Sequence, residues 1–331
     1  MAVLANQKIL TLDYWKRADQ LREGDIVFNR YGKPVEVTLI QKYTPPNCYE
    51  VQFNDWLSIS GDQHLGFYTE NFHNRKSEPA YKGKRPSKAV LKGKTVANLL
   101  EEPLYDEKKH CNAYSVRTTE PIQLPYQDLP IPPFIFGFWF FNRKKDRSLV
   151  PPIGLELPVH TAFKDGGYKI KLGWKTTNNR KRFTVTPTIE SQLIPNIPNR
   201  IPESYLMGSY EQRFELLRGI LHSKKGCYNK TKDMFRITTL SGSLIRQVQW
   251  LAESLGHRTN LFNHPILNNW TLQFKSRLVF MEDQNSKPLK WSYGRRHIVK
   301  VSKISPEPCV YVETNGPDDT FLVGEGFIAC R

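Results

Sequence analysis

A glycine set inside an apolar helical repeat constrains this chain more than any other feature. The stretch from Arg200 to Gly226 reads RIPESYLMGSYEQRFELLRGILHSKKG. Ser209 stands where an N-cap belongs, and Gln212 follows in capping-box position. Phe214, Leu217, Ile220 and Leu221 then recur at helical spacing. Gly219 within that run costs about 1 kcal/mol against alanine unless another backbone must come close there. The pattern therefore fits a helix packed tightly on a partner helix. It fits an ordinary core helix with a tolerated glycine as well.

A candidate partner lies upstream. Pro121, Pro125, Pro130, Pro132 and Pro133 mark an extended connection. Directly after it, FIFGFWFFNR (residues 134–143) is a short, wholly apolar run with Gly137 in its middle. With their contexts, DLPIPPFIFGFWFFN and RIPESYL…RFELLRGIL, the two stretches resemble the paired LAGLIDADG helices of intein-encoded homing endonucleases. The resemblance places Gly137 and Gly219 at the helix interface. It places Asn142 and Lys224 where the family carries its two catalytic aspartates, with Phe141 for a small residue and Arg143 and Lys225 for the glycines that follow. An intact member of that family binds Mg²⁺ through these acids, because a hard cation takes oxygen ligands. Asn142 offers one neutral oxygen and Lys224 a repelling cation, so the resemblance implies a helix pair kept, cleavage lost and no cofactor bound.

The text around these helices alternates as strands do. Residues 168–172 (YKIKL) and 182–186 (RFTVT) interleave polar and apolar residues, with a basic, polar stretch between them. In LAGLIDADG enzymes such strands form a saddle on the DNA major groove, which makes Lys169, Lys171, Lys175, Arg180 and Arg182 candidate DNA contacts. Any exposed sheet would show the same lysines. Residues 235–239 and 270–274 read as further strands. Residues 241–255 read as a helix, with Leu244, Val248, Leu251 and Leu255 on one face and Gly256 as its stop.

The two ends of the chain are β-rich. Residues 9–15 form one strand-like run, Gly24-Asp25-Ile26-Val27 a turn into a strand, and Tyr31-Gly32-Lys33-Pro34 a tight turn. The opening KILTLDYWKRADQLREGDIVFNRYGKPVEV resembles the start of the Hedgehog/intein (Hint) fold. LSISGDQHL (57–65) resembles that family's T-x-x-H block, with Gly61 at the threonine and His64 at the histidine. Near the other end, VYVE (310–313) and TFLV (320–323) resemble its closing blocks, with Val312 at the aspartate position and the histidine falling near Asp319. The resemblance puts Ala2 at the first residue of the splicing element, where a Cys or Ser nucleophile stands in the family. It puts Ala329 at the terminal asparagine and Cys330 at the downstream nucleophile. A second register would set Cys330 and Arg331 on the final His-Asn pair. A lone histidine ending a strand is more often structural than catalytic; within the resemblance His64 is the catalytic candidate.

The fold class implied is a mostly-β, horseshoe-like Hint splicing domain (1–120 plus 290–331) with an inserted α/β LAGLIDADG domain (125–288) of pseudo-symmetric αββαββα type. Within the first Hint segment, residues 71–94 form a basic insertion that carries eight basic side chains against Glu78 alone. Lys82, Lys84, Arg85, Lys88 and Lys92 there suit either a solvated loop or an arm along phosphates. The 48 basic and 32 acidic residues leave +16, which favours a polyanionic partner such as double-stranded DNA. Five scattered cysteines, no basic-then-apolar leader and no membrane-length apolar run suit an intracellular, monomeric chain.

Protein splicing needs a nucleophile at the first position and a cyclising asparagine at the last. Alanine at both, with His64 and Cys330 kept, implies an intein arrested as written, its host flanks as partners, carrying a DNA-binding but cleavage-dead insert. Deliberate trapping of a precursor explains the two alanines, and so does natural decay. A freestanding endonuclease-like DNA-binding protein with a vestigial Hint scaffold is the alternative.

Overall fold

The computed structural model describes residues 1–72, 91–142, 149, 151, 155–173, 182–186, 200–276, 280 and 294–331. Lys82, Lys84, Arg85, Lys88, Lys175 and Arg180 lie outside them. The chain forms two compact units, Met1–Gln123 with Leu289–Arg331, and Leu124–Pro288.

The first unit is built on a fourteen-stranded sheet that takes strands from both ends of the chain. Ala2–Leu4 pairs antiparallel with Cys309–Thr314 (Ala2 opposite Tyr311) and with Ser58–Gly61 (Val3 opposite Gly61). Ile328–Cys330 pairs with Phe321–Val323 and with Gly66–Glu70 (Cys330 opposite Phe67). The long strand Pro34–Tyr43 begins with strict alternation, Val35 and Val37 buried between exposed neighbours. Val3, Ile9, Val51, Phe53, Ile59, Phe67, Val310 and Ile328 meet in its core. The 9–15 run is not one strand: Lys8–Thr11 and Tyr14–Arg17 form a hairpin, turned at Tyr14 with φ +115°. The tight turn at Tyr31–Pro34 is closed by the Asn29 carboxamide oxygen, which accepts from the Tyr31 and Lys33 amides. Gly32 is required there, with φ +69° and the Pro121 carbonyl where a Cβ would lie.

Helix α1 (Val96–Glu101) is capped by Thr95, whose hydroxyl accepts from the Asn98 amide. Glu70, fully buried, ties three strands together: it is ion-paired to Arg117 and to Arg295, the latter at 2.6 Å. Two of the scattered cysteines converge, with Cys48 and Cys309 Sγ atoms 4.0 Å apart.

In the second unit, helices α2 (Pro133–Asn142), α3 (Glu156–Asp165), α4 (Glu203–Leu206), α5 (Tyr210–Leu221) and α6 (Gly242–Ser254) accompany a hairpin, Lys169–Gly173 with Arg182–Thr186, and a four-stranded antiparallel sheet over 226–274. From Phe134 to Asn142 every residue of α2 is buried, as an all-apolar helix requires. Ser209 caps α5 with Gln212 closing the capping box. Arg213, also fully buried, donates to the Gly208 and Ser254 carbonyls and the Ser254 hydroxyl. Leu216, absent from the sequence-derived face of α5, is buried, while Phe214 is only half-buried. On α6 the buried face starts at Ile245 rather than Leu244, and Gly256 ends the helix with φ +84°. No helix among the described residues is long and apolar enough to cross a membrane.

Candidate functional site

The residues at the two predicted junctions flank one short turn. Gly61 ends a strand beside Ala2, and Gly66 begins the next strand beside Arg331. Five chain steps separate the two glycines, so their Cα atoms lie within about 18 Å of each other. Asp62 builds the turn: its Oδ1 accepts from the His64 and Leu65 amides, and its Oδ2 accepts from the Tyr43 hydroxyl at 2.6 Å. This is an Asx-type closure, and it explains why a buried aspartate is tolerated there.

Gly61 is pressed against the Ala2 backbone. A Cβ on Gly61 would lie 2.3 Å from the Ala2 carbonyl oxygen. Threonine, the family residue at this position, therefore has no room in this backbone. Ala2 itself is fully buried, packed with Leu4, Cys48 and Cys309. The carbonyl of Met1, which belongs to the Met1–Ala2 peptide, accepts from the Val312 amide at 2.9 Å. So the position the family gives to aspartate contributes a backbone donor here. Asp319, near the family's histidine position, holds a turn by accepting from the Thr314 amide, with its own φ at +48°.

His64 lies in the same turn but its side chain is exposed, with Nε2 3.3 Å from the side-chain carboxamide nitrogen of Gln63. The buried polar group in the turn is Asp62, whose hydrogen-bond partner Tyr43 is itself exposed; sequence reasoning singled out neither. An aspartate directly after a strand-ending glycine, the residue type that closes such turns, was the available signal. At the other junction Ala329 is 5% exposed and Cys330 is fully buried, its thiol pushed up in pKa by burial. The thiol points at the Ile328 carbonyl of its own strand.

The second candidate site is the foot of the helix pair α2–α5. A Cβ on Gly137 would lie 2.5 Å from the Leu216 carbonyl oxygen, and one on Gly219 would lie 2.1 Å from that of Phe134. The two helices thus meet backbone to backbone through these glycines. At their ends Asn142 is buried and Lys224 exposed. The Asn142 Oδ1 accepts from the Lys224 amide at 3.0 Å, and its Nδ2 donates to the Phe138 carbonyl. The side-chain oxygen that could face a metal is turned to a backbone donor, beside a lysine. These residues do not fit a Mg²⁺ ion, and no step through one follows.

Lys169 and Lys171 are exposed on the hairpin, with Arg182 in the opposite strand; Lys92 is exposed on the strand Lys92–Thr95. On the four-stranded sheet, Phe235, Ile237, Leu272 and Phe274 are buried, and Cys227, Arg236, Gln273 and Asn260 form a row across the opposite face. That polar row was missed, although the same period-2 alternation encodes it.

No protein-family model matches the chain. Over 255 residues, 74% of its length, it is 26% identical to the replicative DNA helicase DnaB of Mycobacterium intracellulare, of which it spans 40%. Among solved structures it is similar to the MchDnaB-1 intein, with 25% identity, 20% of this chain and 53% of that one covered, and a TM-score of 0.20. It is also similar to the homing endonuclease I-DmoI, with 14% identity, 45% of this chain and 89% of that one covered, and a TM-score of 0.32. Its motif-bearing residues and its two-unit layout resemble those of inteins: a mostly-β unit takes strands from both ends of the chain, and a second unit lies between them in sequence.

Proposed function

We propose that this chain is an intein arrested at both splice junctions and interrupting a DnaB-type helicase, and that its inserted unit binds duplex DNA without cutting it. The observation that carries the reading is the Asp62–Leu65 turn, which has the Ala2 strand on one side and the Cys330–Arg331 strand on the other. Splicing must join the two flanks, so both junctions have to stand at one place. The Val312 amide on the Met1 carbonyl is the type of donor that polarises a carbonyl and stabilises an oxyanion. Ala2 supplies no nucleophile and Ala329 cannot cyclise, so neither end reacts as written. The alignment with a DnaB helicase supports that host.

In the inserted unit, backbone contact through Gly137 and Gly219 supports a retained scaffold. The engagement of Asn142 with Lys224 supports loss of the metal site. Lys169, Lys171, Arg182 and Arg236 supply cations for phosphate contacts, which do not need the lost acids.

The test restores the chemistry. The double variant Ala2→Cys, Ala329→Asn, expressed with host flanks on both sides, is expected to release an excised intein and a ligated host product by mass. Absence of both products from a soluble, folded variant would refute the splicing reading. For the insert, salt-sensitive duplex binding with no Mg²⁺-dependent cutting is expected, and efficient site-specific cutting would overturn it.

A further inference from the structure

The residue after Cys330 is held in a slot of its own. The Arg331 amide donates to the Gly66 carbonyl at 2.9 Å, and the Gly66 amide donates to the Arg331 carbonyl at 3.0 Å. Arg331 is therefore a full rung of the ladder, directly opposite Gly66. Tyr68 stands two residues along that strand, on the same face as position 66 and diagonal to Arg331, within reach of a long side chain. The guanidinium lies 4.9 Å from the Tyr68 ring centroid, over the ring. Directly across the next ladder from Tyr68 is Gly93.

Both glycines leave space that the arginine fills. A Cβ on Gly93 would lie 2.1 Å from the Arg331 Nη1, and one on Gly66 would lie 3.2 Å from its Cγ. Tyr68 also carries the guanidinium of Arg30 at 4.1 Å, and Arg30 is ion-paired with Asp318, which neutralises that second cation.

Resting on the junction reading above, in which Cys330 and Arg331 belong to the downstream host flank, we infer that Tyr68, Gly93 and Gly66 form a specificity site. It selects a planar cation, arginine, at the second downstream position. The ring supplies a negative face for the guanidinium, and the missing Cβ of Gly93 admits its flat edge. Lysine can reach the ring but leaves the flat part of the slot empty. An acidic residue there meets the face that repels it.

The experiment uses the Ala2→Cys, Ala329→Asn chain with host flanks, and compares product formation with Arg, Lys, Ala or Glu at residue 331. Arg331→Ala is expected to slow product formation about two- to five-fold, the size of an exposed cation–π contact. Arg331→Lys should fall between, and Arg331→Glu should be slowest. In a Tyr68→Leu background the difference between Arg and Ala at 331 should vanish. Gly93→Ala puts a Cβ where Nη1 now lies and shifts the guanidinium on the ring, so it should narrow the difference between Arg and Ala at 331 if Tyr68→Leu fails to fold. Product at equal rates with all four residues overturns this inference and leaves the splicing reading standing. No product from any form of the folded chain overturns the splicing reading and this inference with it.

Discussion

Gly219 of α5 stands against the Phe134 carbonyl of α2 so closely that a Cβ would lie 2.1 Å from that oxygen. A backbone carbonyl cannot rotate away as a side chain can, so any substituent must part the helices. Gly219→Ala is expected to destabilise the second unit by about 1–3 kcal/mol even though alanine favours the isolated helix by about 1 kcal/mol. Gly137→Ala should act in the same direction and somewhat less, its nearest backbone oxygen being 2.5 Å away. Urea denaturation checks both, and a stabilised Gly219→Ala would contradict the close approach.

Asn142 links the ends of the two helices by accepting from the Lys224 amide. Asn142→Ala leaves that amide without this partner and should cost about 1–2 kcal/mol. Asn142→Asp keeps the acceptor but loses the donor to the Phe138 carbonyl. It also sets a negative charge at the C-terminal end of α2, where the helix dipole is negative. Restoring the family's acid here is therefore expected to lower the melting temperature and not to raise it. A thermal melt of the two variants settles the order.

Glu70 is fully buried and carries ion pairs to both Arg117 and Arg295. Glu70→Gln removes the charge that compensates them and should destabilise the first unit by about 3 kcal/mol or more. Replacement of all three by apolar residues should recover much of that loss, which a triple variant measured by chemical denaturation would reveal.

Burial, and then the neighbouring Cys48, push the Cys309 thiol up to about 12. From its ordinary value near 9 up to about 12, the folded chain keeps a proton that the unfolded chain has lost. Stability is thus undiminished below pH 9 and falls as the pH rises through that window. Cys330 is shifted in the same direction by burial. Denaturation at pH 8 and pH 10 should show the loss, and Cys309→Ala should flatten it. Alkylation of the native protein at pH 8 should modify the exposed Cys227 first and spare Cys48, Cys309 and Cys330.

Much of the helix-pair site was legible in the sequence because its signals are local. A capping box, an interior glycine and an apolar run each act within one or two turns, so Ser209, Gly219 and Phe134–Asn142 could be placed from their neighbours alone. Hairpin turns were less legible. The 9–15 run looked continuous because nothing in it breaks a strand except a positive φ at Tyr14, which no residue type announces. The exposed side chain of His64 and the closeness of Gly61 to Ala2 were hidden for a different reason. Both depend on which strands lie side by side.

What the sequence determined by itself was the set of elements and the chemistry missing from them: alanine at residues 2 and 329, asparagine at 142 and lysine at 224 hold whatever the fold. Only the tertiary structure decided which distant residues meet, such as Met1 with Val312, Cys48 with Cys309, and Arg331 with Tyr68 and Gly93. The physical reason is range. Helix caps and apolar periodicity are set by residues a few positions apart, whereas sheet pairing and register are set by burying one face of every strand at once, which no single stretch of chain records.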